Sequence, residues 1–201
     1  MKITTLNTEQ LDATQEVGNI AAAYAATSLS KLCGQTILIE VSDARIVPVD
    51  KIPSSLGEKE SRVAAVYMDV NEGNNGSILL VFPYEMAIKL SSIFLKDSEL
   101  NGELTEDGLA AISEISNICI SSYLNAISKL LNLTFIPSPP TIAVDMLGAI
   151  LETPASVIGE TADHAIVVST KFIYNNEAMV GFILFMPDLD LLEKILKKFG
   201  V

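Results

Sequence analysis

Tryptophan is absent from this chain of 201 residues, arginine is confined to Arg45 and Arg62, and His164 is the only histidine. Each scarcity excludes something. Lysine and arginine together number 13 against 25 aspartates and glutamates, a formal net charge of −12. Binding a phosphate backbone needs clustered cations, so nucleic acid is not an expected partner. An anionic membrane surface is disfavoured for the same reason, whereas a moderately basic protein would suit the charge. A single histidine cannot build a multi-histidine metal centre and makes a histidine-based triad improbable. No serine sits in a nucleophile-elbow context, and no G-x-x-x-x-G-K-[ST] loop supports nucleotide hydrolysis. The only cysteines, Cys33 and Cys119, lack the spacing of a metal knuckle or a redox pair and read as buried free thiols in a reducing compartment. No apolar run reaches the roughly 20 residues of a membrane span. Met1 to Gln10 is polar and contains no signal core. The expected location is cytoplasmic, without membrane insertion.

What the chain has is apolar material, 49% of its residues, and that material is arranged twice. Moving the sequence along itself until Glu16 falls on Glu114 aligns EVGNIAAAYAATSLSKLCGQT with EISNICISSYLNAISKLLNLT. Asn19, Ile20, Ser30, Lys31, Leu32 and Thr36 then match Asn117, Ile118, Ser128, Lys129, Leu130 and Thr134. Internal repetition of this kind is a statement about architecture. After each long helical segment comes a short extended region, then two strand-like runs around an Asn/Gly-rich turn: 63–70 and 75–82 in the first copy, 165–174 and 179–186 in the second. Pro83 and Pro187 then open a further apolar-periodic segment, as proline suits a first helical turn. The expected fold is α+β: helix–hairpin–helix halves duplicated about a pseudo-twofold axis, with the long helices packed on one shared, mostly antiparallel sheet. The halves are expected at about 1–97 and 104–201 of a single domain spanning 1–201, joined by a polar linker at about 97–105.

The first long helix is expected from near Thr8 to Gly34 and the second from just after Thr105. At about 100° per residue, Asp12, Glu16 and Asn19 fall within an arc of roughly 60°. Ala23 continues that line, and Ala110, Glu114, Asn117 and Ser121 repeat it on the second helix. An amide can hold and aim a water but cannot act as a base near neutral pH, and a carboxylate can pair with a partner's lysine or arginine. Such a pair has no nucleophile, phosphate loop or metal cage. It makes sense as a part that completes a site on another protein, such as one holding an aspartyl phosphate. A single E-x-x-N is usually a solvated helix face. Two copies in matching context are harder to explain that way, because duplication by itself favours core residues, not an exposed carboxylate and amide together.

With these residues the sequence resembles the CheC family of chemotaxis response-regulator phosphatases, which includes CheX and the middle region of FliY. The family pattern is Asp or Ser, three residues, Glu, two residues, Asn, then 22 residues and Pro; Asp12, Glu16 and Asn19 match it in the first copy, and Glu114, Asn117 and Pro140 in the second. Ser42 stands in place of the first proline and Ala110 in place of the second Asp or Ser. The resemblance implies hydrolysis of the phosphoaspartate of CheY, with Asn19 and Asn117 positioning water, Glu16 and Glu114 pairing with the regulator's lysine, and Asp12 in support. It implies no cofactor bound by this chain, the Mg²⁺ being supplied by the phosphorylated partner. Two motifs in one chain are unlike the single motif of CheX-like members, and the sequence has no further segment resembling the switch domain of FliY. Family members also bind the receptor deamidase CheD, and Asp145, Gly148, Ala149 and Ile150 lie in a stretch resembling the region near that interface, although its apolar members read at least as well as a short core helix. The competing reading is a binding module that docks CheD or phosphorylated CheY with little turnover. A flagellar-switch component is a third, weaker one.

Overall fold

The computed structural model describes residues 8–71, 76–96, 102–158 and 164–198, without the side chains of residues 8–13, 153–158 and 196. The first copy of the pattern forms α1 (Thr8–Cys33), β1 (Leu38–Pro48), α2 (Ile52–Leu56), β2 (Arg62–Asp69), β3 (Ser77–Pro83) and α3 (Tyr84–Leu95). The second forms α4 (Glu106–Leu131), β4 (Thr141–Met146), α5 (Leu147–Ile158), β5 (His164–Tyr174), β6 (Glu177–Met186) and α6 (Leu189–Lys198).

Local chemistry explains most of these limits. Thr105 caps α4, its hydroxyl accepting from the Gly108 amide at 3.1 Å. α1 stops at Gly34, whose φ of +70° is glycine territory, and α4 stops at Asn132, also left-handed at +55°. The turn of the second hairpin is Asn175-Asn176, both at positive φ, the backbone that a two-residue turn between twisted strands requires. Pro83 occupies the N-cap position of α3 without a side-chain capping bond, whereas Asp188 caps α6, accepting from the Leu191 amide at 2.7 Å. Residues 72–75 of the first turn and 97–101 of the expected linker lie outside the described residues.

All strand pairs are antiparallel, and the sheet runs β1-β5-β6-β3-β2-β4. Exchanging each element for its counterpart in the other copy turns this order into its own reverse. The expected mixed helix and antiparallel-sheet architecture with a pseudo-twofold relation is the one observed, the axis passing between β3 and β6. Two features go beyond the expectation. The "short extended regions" are full strands, β1 with 11 residues and β4 with 6, and each leaves its own half to pair with the other half's hairpin. β1 is also followed by the unexpected α2, while α5 after β4 begins at Leu147, where a short core helix is one of the readings of the sequence.

Alternation along the strands separates two cores. Ile78, Leu80 and Phe82 of β3 join Ile166, Val168, Ile183 and Phe185 beneath α1, α3, α4 and α6. Leu79 and Val81 point the other way, to Val63, Ala65, Val167, Leu184 and the helix residues Ile52, Leu147 and Leu151. The long helices therefore share one face of the sheet, and α2 and α5 lie on the opposite face.

Candidate functional site

The inner surface of α1 is made of Val17, Gly18, Ala21, Ala22, Ala25 and Leu29, all buried. That of α4 is made of larger residues, including Ile112, Ile115, Ile120 and Tyr123. Burying these faces against the sheet turns the opposite face of each helix to solvent. Glu16 and Asn19 are exposed on α1; on α4, Glu114 is exposed and Asn117 half-buried. In each pair the carboxylate and the amide stand one helical turn apart on the same face. None of the four side chains is held by a hydrogen bond or ion pair among the described residues.

Tyr24 of α1 and Lys129 in the last turn of α4 meet, the ammonium 4.9 Å from the ring centroid. Both Glu/Asn pairs precede this contact along their helices, one pair per helix. Asp12 lies on α1 one turn before Glu16, with its side chain outside the described residues. Ser42 sits in the β1 bulge between Val41 and Asp43 and donates to the Ser169 carbonyl at 3.2 Å. Pro140 stands immediately before β4. The missing proline of the first copy is thus replaced by a bulge at the same point of the pattern.

The other predicted group lies elsewhere. Asp145 and Ala149 are exposed, Gly148 and Ile150 half-buried, at the β4–α5 junction. The Asp145 carboxylate accepts from the Met146 amide at 2.7 Å, and the Gly148 amide donates to the Lys59 carbonyl at 2.9 Å. Ile150 packs with Leu147 and Leu151 on the face away from the long helices. The structure therefore does not bring this segment together with the Glu/Asn pairs; it forms a second, separate surface. Among the described residues no cluster of three His, Cys, Asp or Glu side chains is arranged to hold a metal ion. Among the described residues no helix is long and apolar enough to cross a membrane.

Sequence reasoning passed over Ile20 and Tyr24, which are 42% and 55% exposed beside the first pair. On α4 their counterparts are the half-buried Ile118 and Ser122, so only the first pair has an aromatic flank. The signal was present in the aligned repeats. Tyr24 lies about 80° around the helix from Glu16, an aromatic on an outward arc where the second copy has a serine.

The CheC-like family model matches residues 9–41 and 108–144, the two segments that carry the Glu/Asn pairs. The CheY-P phosphatase CheC of Bacillus subtilis is 28% identical over 197 residues, 96% of this chain and 94% of that protein. The flagellar motor switch phosphatase FliY of the same organism is 27% identical over 139 residues, 68% of this chain but 36% of FliY. Among solved structures, Thermotoga maritima FliY superposes with a TM-score of 0.76 at 25% identity, covering 96% of this chain and 97% of that one.

Proposed function

We propose that the chain is a member of the CheC-like family, whose model matches both segments that carry the Glu/Asn pairs, and that it is a phosphatase of phosphorylated CheY with two sites, Glu16/Asn19 and Glu114/Asn117. One observation carries the reading: an exposed carboxylate and an amide stand one turn apart on the same face of both α1 and α4.

The partner brings the phosphoaspartate, its Mg²⁺ and a lysine. Glu16 or Glu114 pairs with that lysine and fixes the helix across the regulator's active site. The Asn19 or Asn117 amide then accepts from and donates to one water, holding it in line with the phosphorus–carboxylate bond. The water oxygen bonds to phosphorus, the aspartate leaves as a carboxylate, and the water's proton ends on the phosphate product. No phosphoenzyme forms on this chain. What the chain contributes is placement, and placement alone can lower such a barrier substantially because little covalent chemistry is left to perform.

The test is phosphate release from Mg²⁺-loaded phosphorylated CheY with the wild-type chain and the Asn19→Ala/Asn117→Ala variant. Acceleration by wild type, near-complete loss in the variant and retained docking are expected. No acceleration by wild type, with CheD absent or present, sinks the reading and leaves the binding module. That second reading has one observation in its favour. The Asp145–Ile150 segment faces away from both pairs, so CheD could dock there while both pairs stay open. If docking is the task, Glu16→Ala/Glu114→Ala will weaken partner binding more than loss of the amides does.

A further inference from the structure

Gly18 lies inside α1 between the two members of the first pair, and it is buried. Glycine in a helix interior costs roughly 0.5–1 kcal/mol relative to alanine, so its presence asks for a reason. Backbone conformation does not supply one, because Gly18 is absent from the positive-φ glycines among the described residues. Contact does. A Cβ on Gly18 would stand 2.9 Å from Cγ2 of Val41, 3.5 Å from its Cγ1 and 3.7 Å from Cγ1 of Val168. Carbon atoms pack best at about 3.5–4.0 Å, so a methyl there needs α1 or Val41 to retreat by about 0.6 Å.

The close approach belongs to α1 alone. The counterpart of Gly18 on α4 is Ser116, buried with its hydroxyl donating to the Ile112 carbonyl at 2.8 Å. α4 therefore seats a Cβ and an oxygen at the level where α1 has neither. On the β1 side, Val41 opens the bulge that ends at Asp43. Beneath α1, Gly18, Ala21 and Ala25 border a cavity of about 20 Å³ shared with Val41, Cys119 and Thr170. The Thr170 hydroxyl is buried and has no hydrogen-bond partner among the described residues. α1 thus rests on this part of the sheet through Gly18 and Val41, with unfilled space alongside.

We infer that Gly18 is a positioning residue: its lack of a side chain sets the height and tilt of α1 above β1, and so the place of Glu16 and Asn19 against a docked partner. This rests on the phosphatase reading above. It predicts an effect on turnover without a loss of stability, since alanine favours the helix while displacing it.

The experiment uses the full chain carrying Asn117→Ala, so that only the α1 site works. kcat and KM for phosphate release from Mg²⁺-loaded phosphorylated CheY are compared after adding Gly18→Ala, and again after adding Val41→Ala to both. Thermal unfolding of each variant is recorded. The expected result is a fall in kcat of about three- to tenfold, little change in KM, an unchanged or raised Tm, and recovery of most of kcat when Val41 is shortened. An unchanged kcat overturns the inference. So does a fall in kcat that tracks a fall in Tm and is not recovered by Val41→Ala. If Asn117→Ala alone removes all acceleration, the α1 site does no work and the inference falls. A wild type that fails to accelerate release instead overturns the phosphatase reading on which the inference stands, and this control separates the two failures.

Discussion

Tyr24 and Cys119 show how differently two side chains on neighbouring helices can behave. Tyr24 is mostly in solvent, so Tyr24→Ser, which gives α1 the residue α4 has at that place, is expected to shift stability by no more than about 0.5 kcal/mol. If the aromatic flank seats the partner, the same change raises KM several-fold at the α1 site, measured in the Asn117→Ala background, and leaves kcat alone. Cys119 is fully enclosed, and burial pushes its thiol from 9.0 up to about 12. The thiolate is the reactive form, so iodoacetamide at neutral pH is expected to spare Cys119 in the folded chain and label it in urea. Folding favours the protonated thiol, so its contribution is whole below the unfolded value of 9.0 and drains as pH climbs towards about 12. Cys119→Ala should therefore flatten part of the alkaline loss of stability, read by urea titration across that range. The Glu and Asn of each pair were legible in the sequence because they are polar residues repeated on one arc of apolar helices. Gly18 was not, because the atom that demands it belongs to Val41 on another element.

At the scale of elements, helices with a capping residue and a left-handed stop were read within a residue or two. Thr105 is the clearest signal, and Thr105→Ala is expected to cost about 1 kcal/mol, seen as a lowered Tm. The hairpins were equally plain, since two apolar runs flank a turn of fixed chemistry. β1 was harder. Ile39 is buried between the exposed Leu38 and Glu40, as a half-buried strand requires, but the bulge at Val41–Asp43 resets the alternation, so that Ala44, five residues on, joins Ile39 in one core while Val47, eight residues on, joins the other. A period-2 pattern broken in its middle reads as irregular chain. β4 is short and bordered by Pro139 and Pro140, features of an edge strand that leave little periodicity to find. α2 escaped because it has only 5 residues, whereas the apolar run from Leu147, legible as a short core helix, is the start of α5.

The whole molecule is closed by exchange. β1 has β5 as its neighbour in the sheet, and β4 has β2, so each half's outer strand is held by the other half's hairpin. The repeat in the sequence announced two related halves, yet nothing in a repeat says that they trade strands. Pairing partners are chosen by which edges are free once the hairpins meet at β3 and β6. A chain cut after residue 105 would keep β2 and β3 but lose β5, β6 and the α4 face against which α1 packs. Such a fragment is expected to lack cooperative thermal unfolding by circular dichroism, unlike the full chain. The exchange also fixes a timetable for synthesis. Leu38 must wait for Ile173 and Pro48 for His164, so β1 leaves the ribosome more than a hundred residues before its partner exists. At typical elongation rates that is on the order of ten seconds with an unpaired strand. The acidic side chains and bulge along β1, which in the finished sheet guard an edge, would act first as protection for a nascent chain that has not yet met its other half.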